Sequence, residues 1–572
     1  MMNLRFIFIL SLLCFLSIPL FAQQAIIRPS AIFSPIETKK AMVVASDPTA
    51  VKEGLKVLKK GGNAIDAAVT MAFVMAVTQP RAGNIGGGGF MLVKQKDNPV
   101  KAIDYREKAP EKAFRDMFLD KNGEPDSTKS QFSHLSSGIP GTVAGMALAL
   151  KSFGTISLKE ALKPAIMLAE KGFPVSKNFS WQLNKREAAL SKWPATKKIF
   201  FKPDGSVYKQ GELFIQRDLA QTLKRIAENG AKEFYKGKTA KLMVGEMKRN
   251  GGLITMDDLA GYQATLREPI AGNYRGFDVY SMSPPSSGGI HIVQLLNILE
   301  GYDLGSMGHN GAESIHLLSE AMKRAYADRS KYLGDPDFVK IPFQPILSKK
   351  YAEKIRSIIN LSKATPSNEI GPASFPGYES FETTHFSVLD EKGNAVSNTY
   401  TLNFSFGSGI MVDGAGFLLN NQMDDFSAKP GKPNAYGLIG GQANKIEPHK
   451  RMLSSMSPSI VLKDGDIFLI TGSPGGSRII STTLQIIINI IDHKLNLAEA
   501  VTAPRIHHQW LPDLLYVEKG LSPDTLDLLK KKGHIIKSGL TMGAASSILV
   551  DIEKGVIYGA SDPRRDGLAM GY

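Results

Sequence analysis

The residues with the clearest chemical opportunity lie in Phe381-Glu382-Thr383-Thr384-His385-Phe386, where a segment rich in Pro, Gly, Ser and Glu gives way to an alternating, β-branched run. If Thr383 Oγ adds to the Glu382 carbonyl, the peptide becomes an ester through an N-to-O shift. Water then releases a new chain that begins at Thr383. The gain is a base: a backbone amide nitrogen is not basic, whereas a free α-amine has a pKa of roughly 7.7–8.0 and lies beside its own hydroxyl. One residue then supplies both nucleophile and general base for acyl transfer. Taken alone, Thr-Thr-His at the head of a strand is also what any sheet entry can carry, so its surroundings decide its meaning.

Those surroundings start with composition. At 572 residues, 43% hydrophobic and 22% charged, the chain is built for a large folded core. The net charge of +15 is spread over scattered pairs such as Lys59-Lys60 and Lys197-Lys198, without an aromatic-interleaved basic stripe, which reads as solvated surface and not as a nucleic-acid face. Arg5, the apolar run that follows it and Ala22 form the pattern of a signal peptide over residues 1–22. The single cysteine, Cys14, falls inside it, so the mature protein is expected to contain no thiol and to hold its fold by packing alone. No later stretch is long and apolar enough to span a bilayer. An exported protein, in a periplasm or the medium and off the membrane once the signal is removed, is the expectation.

The elements that must position Thr383 are legible in outline. Ser46-Asp47-Pro48 caps a helix running to Lys60, and Asn63 opens a second, apolar nearly all round, that should be buried. A glycine loop, Gly83 to Gly89, leads into strands starting at Phe90 and Ala102. From about Pro140 to Leu361 the pattern is mainly helical; Thr365 to Glu382 has neither period and reads as an exposed loop. After Thr383 hairpins dominate, around Glu391-Lys392-Gly393, Asp464-Gly465 and Glu553-Lys554-Gly555, with a helix after the second. Hairpins with apolar helices point to a layered α+β body.

Other motifs carry less. The run Gly86 to Gly89 lacks the Gly-Lys-Ser/Thr or G-x-G-x-x-G context of a nucleotide cradle and fits close packing instead. His507-His508 has no third metal ligand at suitable spacing. His385 alternates along its strand and is read as packing. No Gly-x-Ser-x-Gly elbow is present.

Six long motifs change the weight of the threonine junction: GNIGGGGFMLV, DYREKAP, TTHFSVLDEKGNAVSNTYTLN, GFLLNNQMDDFSAKPGKPNAYGLIGG, MLSSMSPSIV and GSPGGSRI. Over residues 38 to 572 the chain resembles the γ-glutamyltranspeptidase family of the amino-terminal nucleophile hydrolases. The resemblance implies a four-layer αββα sandwich, formed by a large subunit (23–382) and a small one (383–572) cut from one precursor and held as a heterodimer. It implies Thr383 as processing residue and nucleophile, with cleavage after Glu382, Thr401 as the second threonine, and Gly475 and Gly476 as the oxyanion loop. Arg106 with Ser454 and Ser455 would bind a donor α-carboxylate, and Asp425, Asn403 and Gln422 its α-ammonium. Tyr436 occupies the place of a lid tyrosine. The expected donors are glutathione and other γ-glutamyl compounds, the acceptors water, amino acids or peptides, with no cofactor or metal. Two alternatives stand beside this one: a glutaryl-type acylase of the same fold, and an exported protein that binds a γ-glutamyl ligand without cleaving it.

Overall fold

The computed structural model describes residues 34–371, 383–432, 434 and 437–572. The expected signal peptide, Glu382 and Tyr436 lie outside these residues.

Period-two patterning places each strand residue in one of two environments. In Met42–Ala45, Val43 and Ala45 pack with the helices Pro48–Lys59 and Ala64–Thr78, while Met42 and Val44 point the other way. Phe386 and Val388 face those helices, and Leu389 and Ala395 turn to the opposite side. That opposite side meets Ile460, Leu462, Ile470, Ile548 and Ile557 of a second sheet. Val461, Leu469 and Val279 on that sheet's far face pack under the helices Gly288–Leu299, Ala312–Tyr332 and Arg478–Ile491. Helix, sheet, sheet, helix is thus the order of layers, the expected αββα sandwich.

Each sheet has seven strands in the described residues, all antiparallel. One runs Leu568–Gly571, Met42–Ala45, Thr384–Leu389, Ala395–Thr401, Gly88–Lys94, Lys101–Tyr105, Thr265–Arg267. The other runs Ile36–Thr38, Val556–Ser561, Ser546–Asp551, Asp466–Thr471, Ser459–Lys463, Phe277–Ser281, Ile270–Tyr274. The strand that begins at Thr384 is therefore central, flanked by Met42–Ala45 and Ala395–Thr401.

The helix signals are realised closely. Asp47 accepts from Ala50 N at 2.7 Å to cap the first helix, and Asn63 with Asp66 forms a capping box on the second, whose fifteen residues are all buried. Two features differ from the sequence reading. Strands Ile36–Thr38 and Met42–Ala45 precede the first helix, and the mainly helical stretch contains the hairpin Ile270–Tyr274/Phe277–Ser281. Both are short and take their stability from pairing with strands hundreds of residues away, which local periodicity does not encode.

Candidate active site

Thr384 pairs with Tyr400 and His385 with Thr399. Extending that register by one residue sets Thr383 opposite Thr401, on the face shared by His385 and Thr399. Cross-strand geometry thus delivers the two threonines to each other. Both are 3% exposed, and both line a cleft of about 340 Å³ of empty space. The Thr383 carbonyl accepts from Arg565 Nη1 at 2.7 Å, and Thr401 Oγ1 accepts from Asn403 N at 2.8 Å. One pair deeper, His385 Nδ1 lies 2.8 Å from Thr399 Oγ1 and Nε2 lies 3.2 Å from Ser387 Oγ. Burial pushes its pKa down to about 3, so it is a neutral packing group, as the alternation suggested.

The same cleft is lined by Arg106, Asn403, Gln422, Asp425, Ser454, Ser455 and Gly476. Arg106 follows the Lys101–Tyr105 strand; its Nε donates to Met452 O at 3.2 Å and its Nη2 to Asp425 Oδ2. Tyr262 Oη donates to the Arg106 carbonyl at 2.8 Å, fixing the backbone. Burial raises the Asp425 pKa against the opposing pull of Arg106. The adjoining Glu107 is fully buried and its carboxyl is pushed up to about 8, again by burial. At neutral pH Glu107 is therefore mostly protonated, and its Oε2 accepts a long hydrogen bond from Arg106 Nη1 at 3.4 Å.

Hydrogen-bond polarity divides the cleft into an anion end and a cation end. Ser454 Oγ accepts from Met456 N at 3.1 Å and Ser455 Oγ accepts from Arg329 Nη2 at 3.2 Å, so each serine keeps its own O–H to donate. With Arg106 these make a donor-rich end suited to a carboxylate. Gln422 uses Nε2 on Asp425 Oδ2 at 3.2 Å, which leaves Oε1 buried without a partner among the described residues. Asn403 Nδ2 donates to Asn421 O at 3.0 Å. Carboxylate and amide oxygens thus gather where an ammonium would complete them.

Gly476 lines the cleft and Gly475, its neighbour in the chain, does not; both precede the Arg478–Ile491 helix. Their φ values, 57° for Gly476 and 139° for Gly475, lie in the region L side chains rarely adopt, which explains the residue type. The run Gly86–Gly89 proves to be packing, as expected: a Cβ on Gly87 would lie 2.1 Å from the Thr401 carbonyl oxygen.

Sequence reasoning missed Arg329, Asn434, Leu438 and Met456, which also line the cleft. Arg329 sits in an ordinary amphipathic helix, and nothing in its local pattern separates it from a surface arginine. His507 and His508 are held by Ser481, Gln509 and Asp513, and among the described residues no group of three or more His, Cys, Asp or Glu is placed to hold a metal ion.

Known proteins resemble this chain over most of its length. The family model described as Gamma-glutamyltranspeptidase matches residues 50–572. A glutathione hydrolase proenzyme of Escherichia coli strain K12 is 55% identical over 542 residues, covering 95% of this chain and 93% of its own. Among solved structures, a cephalosporin acylase from Bacillus halodurans superposes with a TM-score of 0.84 at 27% identity, covering 96% of this chain and 99% of that one. The Helicobacter pylori gamma-glutamyltranspeptidase chain superposes at 0.57 with 48% identity, covering 57% of this chain and 94% of its own. A match of that extent to the family model, and to a relative more than half identical, means that the chain belongs to the gamma-glutamyltranspeptidase family.

Proposed function

We propose that the chain cleaves itself between Glu382 and Thr383, giving a large subunit of residues 23–382 and a small one of 383–572 that remain together as a heterodimer. The protein is a self-processing γ-glutamyltransferase and glutathione hydrolase. After cleavage the Thr383 α-amine takes the proton from its own Oγ as that oxygen attacks the γ-carbonyl of a γ-glutamyl donor. The oxyanion forms beside Gly475 and Gly476, and the leaving amine departs with the proton from the Thr383 ammonium. The γ-glutamyl ester is then attacked by water, for hydrolysis, or by the amine of an amino acid or peptide, for transfer. Thr401 positions Thr383 through the cross-strand pairing.

The observation that carries the donor assignment is the paired polarity of the cleft: Arg106 with two proton-donating serines at one end, and Asp425 with the unpartnered Gln422 Oε1 at the other. An α-amino acid head group inserted there exchanges the Arg106–Asp425 contact for two complementary ones. The proenzyme name of the Escherichia coli relative supports processing. The fold shared with a cephalosporin acylase keeps the glutaryl-type reading in view, but a glutaryl group has no ammonium to satisfy Asp425 and Gln422. Export, to a periplasm or the medium, rests on the pattern of residues 1–22; no helix among the described residues is long and apolar enough to cross a membrane.

Intact-mass and amino-terminal analysis of purified protein, followed by a chromogenic γ-glutamyl anilide assay with and without a dipeptide acceptor, tests the proposal. Two fragments with a new terminus at Thr383 and anilide release are expected. A fully active continuous chain would overturn processing; two fragments inert to the anilide would overturn the donor; one uncut band that still binds glutathione would establish the binding-protein reading.

A further inference from the structure

Arg329 is a third charged side chain of the cleft. It projects from the Ala312–Tyr332 helix and is 5% exposed. Its Nε donates to Ser287 Oγ at 3.0 Å and its Nη2 to Ser455 Oγ at 3.2 Å. Ser287 is itself fixed, with Oγ donating to Ser454 O at 2.8 Å and N donating to the same oxygen at 2.9 Å. Among the described residues no carboxylate lies within ion-pair distance of Arg329; Asp425 acts on it only from further away. Burial holds its pKa down to about 10, so it is still a cation at neutral pH. Among the described residues, the charged side chains lining the cleft are then Arg106, Arg329 and Asp425, two cations and one anion. A buried cation without a counter-ion is costly unless something fills that role.

We infer that Arg329 is a positioning and specificity residue for the donor α-carboxylate, acting through Ser455. By donating to one lone pair of Ser455 Oγ from a charged group, Arg329 polarises that hydroxyl and favours donation of its O–H to an anion in the cleft. Its unpaired charge lies behind the serines, so the carboxylate of a zwitterionic head group is drawn to that side and the ammonium to Asp425. Arg106 would touch the carboxylate directly; Arg329 sets the proton direction of the serine that touches it. This rests on the γ-glutamyl reading above and adds to it the group that discriminates carboxylate from its neutral isostere.

The experiment compares two anilide donors, γ-glutamyl anilide and its α-carboxamide analogue, on wild type, Arg329→Met, Arg329→Lys, Ser455→Ala and the Arg329→Met/Ser455→Ala pair, with rates normalised to processed enzyme. Arg329→Met should lower kcat/KM for the carboxylate donor by about ten-fold or more, mainly through KM, since the serine hydroxyl that meets the carboxylate loses its charged partner. The carboxamide donor should fall less than about three-fold. Arg329→Lys should recover part of the preference, because the charge returns without the fork that reaches both serines. The pair should be little worse than the worse single variant. Equal losses on both donors, or multiplicative losses in the pair, would overturn the role. If Arg329→Met does not fold, Arg329→Lys and Ser455→Ala decide by the same donor ratio: an unchanged ratio in both overturns it. A processed wild type inert toward the carboxylate donor would instead remove the γ-glutamyl reading itself.

Discussion

Replacing Gly87 by alanine changes one methyl group, yet it should cost most of the catalytic rate. An ideal Cβ at Gly87 would lie 2.1 Å from the Thr401 carbonyl oxygen and 2.8 Å from Asn84 Oδ1, where real Cβ contacts essentially never fall under 3.0 Å. Something must move by about 1 Å to restore an ordinary contact. The loop has little freedom to recoil: Gly87 N donates to Asn84 Oδ1 at 2.8 Å, and Gly87 O accepts from Gly141 N at 2.8 Å and Thr142 N at 3.0 Å. The displacement therefore falls on Thr401, across the strand pair from Thr383. Misplacement of a catalytic group by about 1 Å costs roughly 100-fold in rate, or about 2.7 kcal/mol of barrier. Gly87→Ala should thus show kcat lowered about 100-fold and slower processing, with donor KM changed far less because Arg106, Ser454, Ser455 and Asp425 do not touch the displaced carbonyl, Asn403 being tied to Thr401 through its own N–H. Gly261→Ala, where nothing lies within 4 Å of the new Cβ, is the control and should behave as wild type. The assay is anilide release at saturating donor, normalised to the processed fraction on a denaturing gel. A Gly87→Ala enzyme within about three-fold of wild-type kcat, processed at the normal rate, would refute the claim that this glycine sets the threonine pair.

Three further outcomes follow from the same geometry. Thr383→Ala should remain a single uncut chain without activity, because one hydroxyl performs both reactions; two normal subunits from that variant would remove the mechanism. Arg106→Lys should raise donor KM by about ten-fold or more while leaving processing nearly normal, since a lysine cannot reproduce the guanidinium fork and processing involves no free carboxylate; unchanged donor kinetics would show the carboxylate to be bound elsewhere. Glu107, with its pKa raised from 4.5 unfolded to about 8 folded, contributes stability that is complete below pH 4.5 and diminishes by about 1.4 kcal/mol per pH unit until pH 8. Glu107→Gln lacks that loss, so its stability relative to wild type should rise between pH 5 and 8 in thermal melts; parallel pH profiles would mean that Glu107 ionises normally.

Much of this protein is written locally. The buried helix after Asn63 follows from an apolar run with a capping box, and the hairpins at Gly393 and Asp464-Gly465 from turn residues that tolerate positive φ, 81° at Gly393 and 54° at Asp464. Six motifs singled out Thr383, Arg106, Asp425 and their companions before any distance was known, and the fold brings these three to one cleft. Sequence could not say that Ser454 and Ser455 each accept a hydrogen bond from behind the cleft, or that Gln422 turns its amide nitrogen to Asp425. Nor could it say that Arg329, carried by a helix of the opposite layer, completes the cleft. Those facts depend on which strands and helices pack together, across sequence separations such as the 126 residues between Arg329 and Ser455. Residue type and spacing encode what a group can do; the direction of its hydrogen bonds and the cost of its charge arise only when folding removes water and chooses its neighbours.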